Sequence, residues 1–187
     1  MVILGRAGEP RPHGMKTGVG QRIPLVPPLG AVFLAWADAE RVDDWVSRAP
    51  ASAGPKGRNQ YRDILEHVRA RGFSVGLADP ARPRMAAALD ELEERPRSRA
   101  AKGRLRATVD ALTSADTVLT TIAAGTTHRV AHVAAPVFDQ HHDVQLAVYL
   151  LGFRGPQQAE ELLDVAHRLV ETATLVTRLG GGRAPSR

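Results

Sequence analysis

Apolar and polar positions alternate most regularly over residues 129–153, and the rest of the chain is organised around that stretch. In its first arm Ala131, Val133, Ala135 and Val137 alternate with Val130, His132, Ala134, Pro136 and Phe138. In its second, Val144, Leu146, Val148 and Leu150 alternate with Gln145, Ala147, Tyr149 and Leu151. Successive side chains of a strand point to opposite faces, so the pattern predicts a β-hairpin with one wholly apolar face and one mixed face. The apolar set is odd-numbered in one arm and even-numbered in the other. The two sets share a face only across a connection of even length, such as Gln140-His141 or residues 139–142. The expectation is one face covered by helices and an opposite face, carrying His132, Tyr149 and Leu151, left open for another use.

The flanking segments fall into shorter periods. Residues 1–7 are an apolar run suited to an opening strand, broken at 8–12. Residues 16–25, with Gly18, Gly20 and Pro24, can hold only a short or edge strand, and Pro27-Pro28 is expected to extend the backbone and stop it. A helical period begins at Leu29, where Val32, Phe33, Trp36, Ala37, Val42, Trp45 and Val46 recur at three and four, with a break near Asp38. A loop at 50–57 leads to a helix at 58–71 whose stripe is Tyr61, Ile64, Leu65 and Val68, capped by Gly72. Residues 73–77 read as a strand.

Pro80 and Pro83 introduce a helix at 84–94, Pro96 ends it, and a second helix at 100–115 carries Leu105, Val109 and Leu112 on one side. Residues 117–122 read as a strand. Gly155-Pro156 is expected to open the last helix with proline first. Glu160, Glu161 and Asp164 lie near its positive end, and Arg168 and Arg178 lie towards its negative end. Its stripe is Leu162, Leu163, Ala166, Leu169, Val170, Ala173 and Val176; residues 180–182 stop it and the remainder is a frayed tail. Helices set between strands, closing with a hairpin and a helix, predict an α+β or α/β sandwich formed as one domain over residues 1–187.

Composition narrows the class. Of 187 residues 43% are hydrophobic and 24% charged, a globular balance, but only 4% are aromatic, so Ala, Val and Leu must build the core. The absence of cysteine excludes disulfides and thiolate metal sites and fits a reducing cytoplasm. The N-terminus has no signal-peptide pattern, and no apolar run reaches membrane-spanning length. The net charge of +5 raises nucleic acid as a partner. The basic residues crowd at Arg95, Arg97, Arg99, Lys102, Arg104 and Arg106, yet Glu91, Glu93 and Glu94 stand beside them and no aromatic is interleaved for base stacking. A solvated helix face explains them better than a phosphate-binding patch.

Catalytic and metal chemistry find little footing. His128 and His132 are four apart, which on a strand is roughly 13 Å at ~3.3 Å per residue, too far to share a zinc ion. His141-His142-Asp143 falls in the hairpin turn, where adjacent side chains diverge. No serine has a nucleophile-elbow setting, Gly18-Val19-Gly20 lacks the rest of a dinucleotide loop, and Asp43-Asp44 and Glu160-Glu161 read as helix-surface pairs. No catalytic residue, metal ligand or cofactor is assigned. The mixed hairpin face suits a small ligand instead, with His132 and Tyr149 as its polar groups and the start of the helix near Leu29 offering N–H groups to an anion. Two other uses stay open: an acid–base role for His132 in a small enzyme, or a dimer contact with no ligand.

Three segments resemble the effector-binding domain of IclR-type transcriptional regulators. GVGQRIPLVPPLGAVFLAWA, residues 18–37, is similar to the family's G-x-R-x-P-L stretch, small-residue turn and first helix. LEHVRARGFSVG, residues 65–76, looks like its helix ending in R-x-x-G with the following strand. HVAAPVFDQHHDVQLAVYLLGF, residues 132–153, looks like its A-A-P-V hairpin. Together with the closing helix they cover about half the chain. The resemblance implies a GAF-related fold in which helices pack on the face of an antiparallel or mixed sheet. It also implies a small-molecule effector, a homodimer or homotetramer, and a pocket formed here by Pro28, Leu29, Gly30, His132, Tyr149 and Leu151.

The chain departs from the family in three ways. The winged helix-turn-helix through which the family contacts DNA is expected to be absent from this chain, either because it is a fragment or because it has lost that arm. Residues 79–127 replace a shorter family segment with a helical insertion. Tyr149 and Leu151 stand where small hydroxyl residues are common, which favours a larger, partly apolar or aromatic effector.

Overall fold

The computed structural model describes residues 1–8, 18–50, 53–79, 81–112 and 117–185. The expected break at 9–12, the start of the 16–25 segment, part of the 50–57 loop, Pro80, the end of the second insertion helix at 113–115 and the tail at 186–187 lie outside the described residues.

Ser74–Leu77 forms β1, Thr127–His128 β2, Val130–Phe138 β3, Val144–Leu151 β4 and Gln157–Gln158 β5. The hairpin β3–β4 pairs Val133 with Leu150, Ala135 with Val148 and Val137 with Leu146, so the two apolar sets do share a face. The connection, residues 139–143, is odd in length rather than even. A register shift between Val137 and Phe138 sets Phe138 opposite Val144 and restores the parity, because one bulged residue does what an even loop would have done. Asp139 holds the turn, its Oδ1 accepting from the backbone N–H of His141 at 2.8 Å and of Asp143 at 3.0 Å.

β1 pairs with the other edge of β3, giving an antiparallel sheet in the order β1-β3-β4, while β2 and β5 form a separate antiparallel pair. The helices among the described residues are α1 (Ala31–Leu34), α2 (Ala39–Ser47), α3 (Gly54–Arg71), α4 (Ala81–Glu94), α5 (Arg99–Leu112) and α6 (Ala159–Leu179). The fold is α+β.

Two expected strands shrink to single bridges. Val2 bridges Arg22, where Gly20 at φ 90° turns the partner segment away. Val118 bridges Gly76, and two residues on the Thr120 carbonyl accepts from the Arg71 side chain instead of extending a ladder. Pro27-Pro28 is a cis peptide inside a turn, not extended backbone.

Helix ends also move. Asp38 breaks and caps the expected first helix, its carboxylate accepting from the Arg41 N–H at 2.8 Å. α3 begins at Gly54, earlier than expected, because a proline in the first turn has no helical N–H to lose. α6 begins at Ala159, later than Pro156, because residues 157–158 are engaged as β5 and the Ala159 N–H donates to the Thr126 carbonyl at 2.9 Å. In its stripe Thr177 is buried where Val176 was expected, and Val176 faces out.

Packing divides into three clusters. α1, α2 and α3 enclose Trp45, Val46, Tyr61, Ile64, Leu65 and Val68. α6 lays Leu162, Ala166, Leu169 and Ala173 on the apolar sheet face formed by Val75, Val133, Ala135 and Val137. The α4–α5 pair closes over Met85 and Leu89 and joins the rest through Ile23 and Leu29. The tail does not fray at once, since the Arg183 N–H donates to the Asp139 carbonyl at 3.0 Å. Among the described residues no helix is long and apolar enough to cross a membrane.

Candidate functional site

The mixed face of the hairpin is divided between cover and exposure. α1 lies across β3 and β4, Ala134 and Pro136 are buried, and Phe138 meets Trp36 edge to face at 5.3 Å. The expectation that this whole face stays open is therefore corrected, because a one-turn helix covers its turn-proximal half. Beyond that cover the strand ends present Tyr149, 37% exposed, and Leu151, 51% exposed, with His132 half-buried. His132 stands opposite Leu151 in the ladder, and its ring lies 5.4 Å from that of Tyr149 at 46°. The imidazole rests over Gly76, where the lack of a side chain makes room for it. The result is a shelf with an imidazole, a phenol and an isobutyl group on it.

Pro28 and Gly30 are buried and Leu29 partly so. Leu29 packs on the Met85–Leu89 cluster and its carbonyl accepts from Trp45 Nε1 at 3.1 Å. Gly30, at φ 82°, lies under the Leu25 side chain with Met1 Sδ 3.2 Å from where a β-carbon would stand. These three residues fasten a turn. α1 is a single turn, too short to offer the anion site expected of a helix start. The structure thus brings His132, Tyr149 and Leu151 together on the shelf, while Pro28, Leu29 and Gly30 serve the core behind α1.

The other histidines disperse. His128 lies on β2, hydrogen-bonded to Thr126 Oγ1 at 2.7 Å, so it and His132 belong to different sheets. His141 and His142 are exposed in the turn. Between α4 and α5 Arg104 pairs with Glu91, which holds the Glu91 carboxyl below its ordinary range. Asp43 and Asp44 pair on the surface with Arg62 and Arg48.

A second feature went unrecognised in the sequence. A cavity of about 480 Å³ opens beside β1 between the end of α3 and the start of α6, lined by His67, Arg71, Phe73, Thr120, Leu163 and His167, among others. None of the six expected ligand residues lines it. Arg71 is the last residue of α3, where a cation suits the helix dipole, and that reading alone hides its role. Its side chain folds inward: Nε donates to the Phe73 carbonyl at 2.7 Å, Nη1 to the Thr120 carbonyl at 3.3 Å, and the guanidinium stacks 5.0 Å from the Phe73 ring centroid. Nη2 is buried without a partner among the described residues. Burial lowers its pKa to about 10, so it remains charged at neutral pH. His67 donates from Nδ1 to the Asp63 carbonyl at 2.7 Å, and His167 stands edge-on to Phe73 at 6.1 Å.

Comparison of the chain with protein-family models, with curated proteins and with solved structures found no match in any of the three.

Proposed function

We propose that this chain is the ligand-sensing domain of an IclR-like transcriptional regulator, GAF-related in fold and acting in the cytoplasm. A small, partly apolar or aromatic metabolite docks on the His132, Tyr149 and Leu151 shelf. Its unequal affinity for two arrangements of a homodimer or homotetramer alters DNA binding through an attached or partner winged helix-turn-helix. The domain itself performs no chemistry. The observation that carries this reading is the His132–Tyr149 ring pair at 5.4 Å, held on the outer face of a hairpin whose inner face α6 covers along β3. An imidazole and a phenol beside a leucine supply the few polar groups and the apolar surface that small-ligand sites use.

The test is a thermal-shift and NMR screen of aromatic and aliphatic carboxylates against wild type and Tyr149→Ala. A hit that moves the His132 ring signals and loses its stabilisation in Tyr149→Ala supports the shelf. A hit whose stabilisation is unchanged in that variant overturns it.

One observation favours a second reading, a dimerisation module without ligand. β4 is an edge strand, and Leu146, Leu150 and Leu151 on it are exposed, which is a surface suited to pairing with another chain. Sedimentation of wild type and Leu150→Lys would separate the two readings. A dimer that persists in the screen without any hit, and falls apart in Leu150→Lys, favours the module.

A further inference from the structure

We propose that the cavity between α3 and α6 binds a small organic acid, with the Arg71 guanidinium taking its carboxylate and Phe73, Ile122 and Leu163 taking its apolar body. A buried cation ordinarily has a carboxylate partner, since removing a charge from water is costly unless another charge meets it. Among the described residues Arg71 has none; its acceptors are two backbone carbonyls, which carry no net charge. One of those bonds is long, 3.3 Å from Nη1 to Thr120, and Nη2 has no acceptor among the described residues. Turning the planar fork towards the cavity gives up the long bond and offers a carboxylate two parallel N–H groups, the geometry in which guanidinium binds most strongly.

The cavity, about 480 Å³ and open to solvent along His67, Ala70, Thr121 and His167, has room for a small ligand. Its walls select the ligand class. Ala70, Phe73, Ile122 and Leu163 are apolar, and Arg71 is the one arginine or lysine among the lining residues. A polyphosphate would bring several charges to a site with one permanent cation, whereas a monocarboxylate with a hydrocarbon or aromatic body matches both the charge and the walls. The stacking of Arg71 on Phe73 also keeps the guanidinium at the wall of the groove before a ligand arrives.

This site is independent of the shelf. Phe73 packs in the cluster formed under α6, on the inner side of the sheet, whereas His132 and Tyr149 stand on the outer side. The two can therefore be read separately in one protein.

The experiment is a titration of the full chain with benzoate, followed by the ring signals of His67 and His167. Benzamide serves as the uncharged analogue and inorganic phosphate as a second anion. In wild type and in Tyr149→Ala alike, benzoate is expected to shift both rings along one saturable curve, with benzamide and phosphate at least about tenfold weaker. Arg71→Gln is expected to lose at least about tenfold in affinity. Leu163→Trp, which fills the cavity and leaves the cation's charge in place, is expected to lose as much and carries the test if Arg71→Gln fails to fold. The proposal is overturned if benzoate gives no saturable shift of either ring, if benzamide binds as well, if phosphate binds as tightly, or if folded Leu163→Trp binds unchanged. The His132 signals in the same spectra report on the shelf, so failure here and failure there are distinguishable.

Discussion

Gly76 and His132 face each other across β1 and β3, and the imidazole occupies the space where any other residue at 76 would place its β-carbon. Nδ1 and Nε2 lie 2.6 and 2.7 Å from that position. Gly76 is not held at positive φ, so the requirement for glycine is steric rather than conformational. Gly76→Ala is expected to push His132 off its seat and to destabilise the fold by roughly 1–3 kcal/mol. Urea midpoints of Gly76→Ala, His132→Ala and the double variant check this. The double variant should lose less than the sum of the singles, and strict additivity would mean the two do not share the space.

Trp45 fastens the turn that leads into α1. Its indole N–H donates to the Leu29 carbonyl at 3.1 Å and its ring packs edge-on against Tyr61 at 6.0 Å, almost fully buried. Trp45→Phe keeps an aromatic ring but removes the donor and some volume. A loss of about 1–3 kcal/mol in chemical denaturation is expected. A variant as stable as wild type would show that the turn at residues 27–30 does not depend on this bond.

Thr177 ties the end of α6 to the end of β3. Its Oγ1 accepts from the Phe138 N–H at 3.1 Å in a buried setting, and Gly182 next to it passes so close to the Phe138 carbonyl that a β-carbon would stand 2.8 Å from the carbonyl carbon. Thr177→Val preserves shape and leaves that N–H without an acceptor, at a cost of about 1–3 kcal/mol. Hydrogen exchange at Phe138 should quicken in the variant while that at Val133 keeps pace with global unfolding.

Glu160 gives the fold an acid-side dependence. Its carboxylate accepts from the Gly125 N–H at 2.9 Å, and that bond, with its own backbone N–H at the start of α6, holds its pKa below the ordinary carboxylate value. Because the folded value is lower than the unfolded one, the stabilisation is complete above about pH 4.3 and disappears as the pH falls through the folded value. Wild type should therefore melt higher than Glu160→Gln at pH 7, with the gap closing as the solution is acidified below about pH 4.3. A gap independent of pH would assign the difference to packing.

Much of the secondary structure was legible because it rests on local periods. The stripe Tyr61, Ile64, Leu65 and Val68 with Gly72 behind it became α3 and its cap at φ 86°. The break near Asp38 became a capped helix start. Residues 79–127 contain two helices packed on each other, as Pro83 and Pro96 implied, and one of the basic residues there, Arg104, pairs with Glu91 on the surface. Strands 1–7 and 117–122 were over-read, because an apolar run specifies that a segment can pair but not that a partner edge is free.

Of the candidate site, three residues could be grouped in advance and three could not. The alternation of sides in β3 and β4 was enough to put His132, Tyr149 and Leu151 on one face, since parity survives even the bulge that replaced the even loop. Pro28, Leu29 and Gly30 came from resemblance, and the contacts that make them part of the core, to Trp45, Leu25 and Met85, run between segments that no local pattern connects.

By itself, then, the sequence determined the periods: which residues share a face, the helix break at Asp38 and the helix end at Gly72, and that no cysteine chemistry is available. The tertiary structure alone decided which faces are covered. α1 closes half of the outer sheet face. Gly76 makes room for His132. Arg71, which locally is only a cation at a helix end, is drawn under Phe73 to the carbonyl of Thr120, 49 positions away. Side-chain direction repeats every two or 3.6 residues and can be counted along the chain, but burial depends on what arrives from elsewhere, and a charge acquires its chemical use only when its surroundings are assembled.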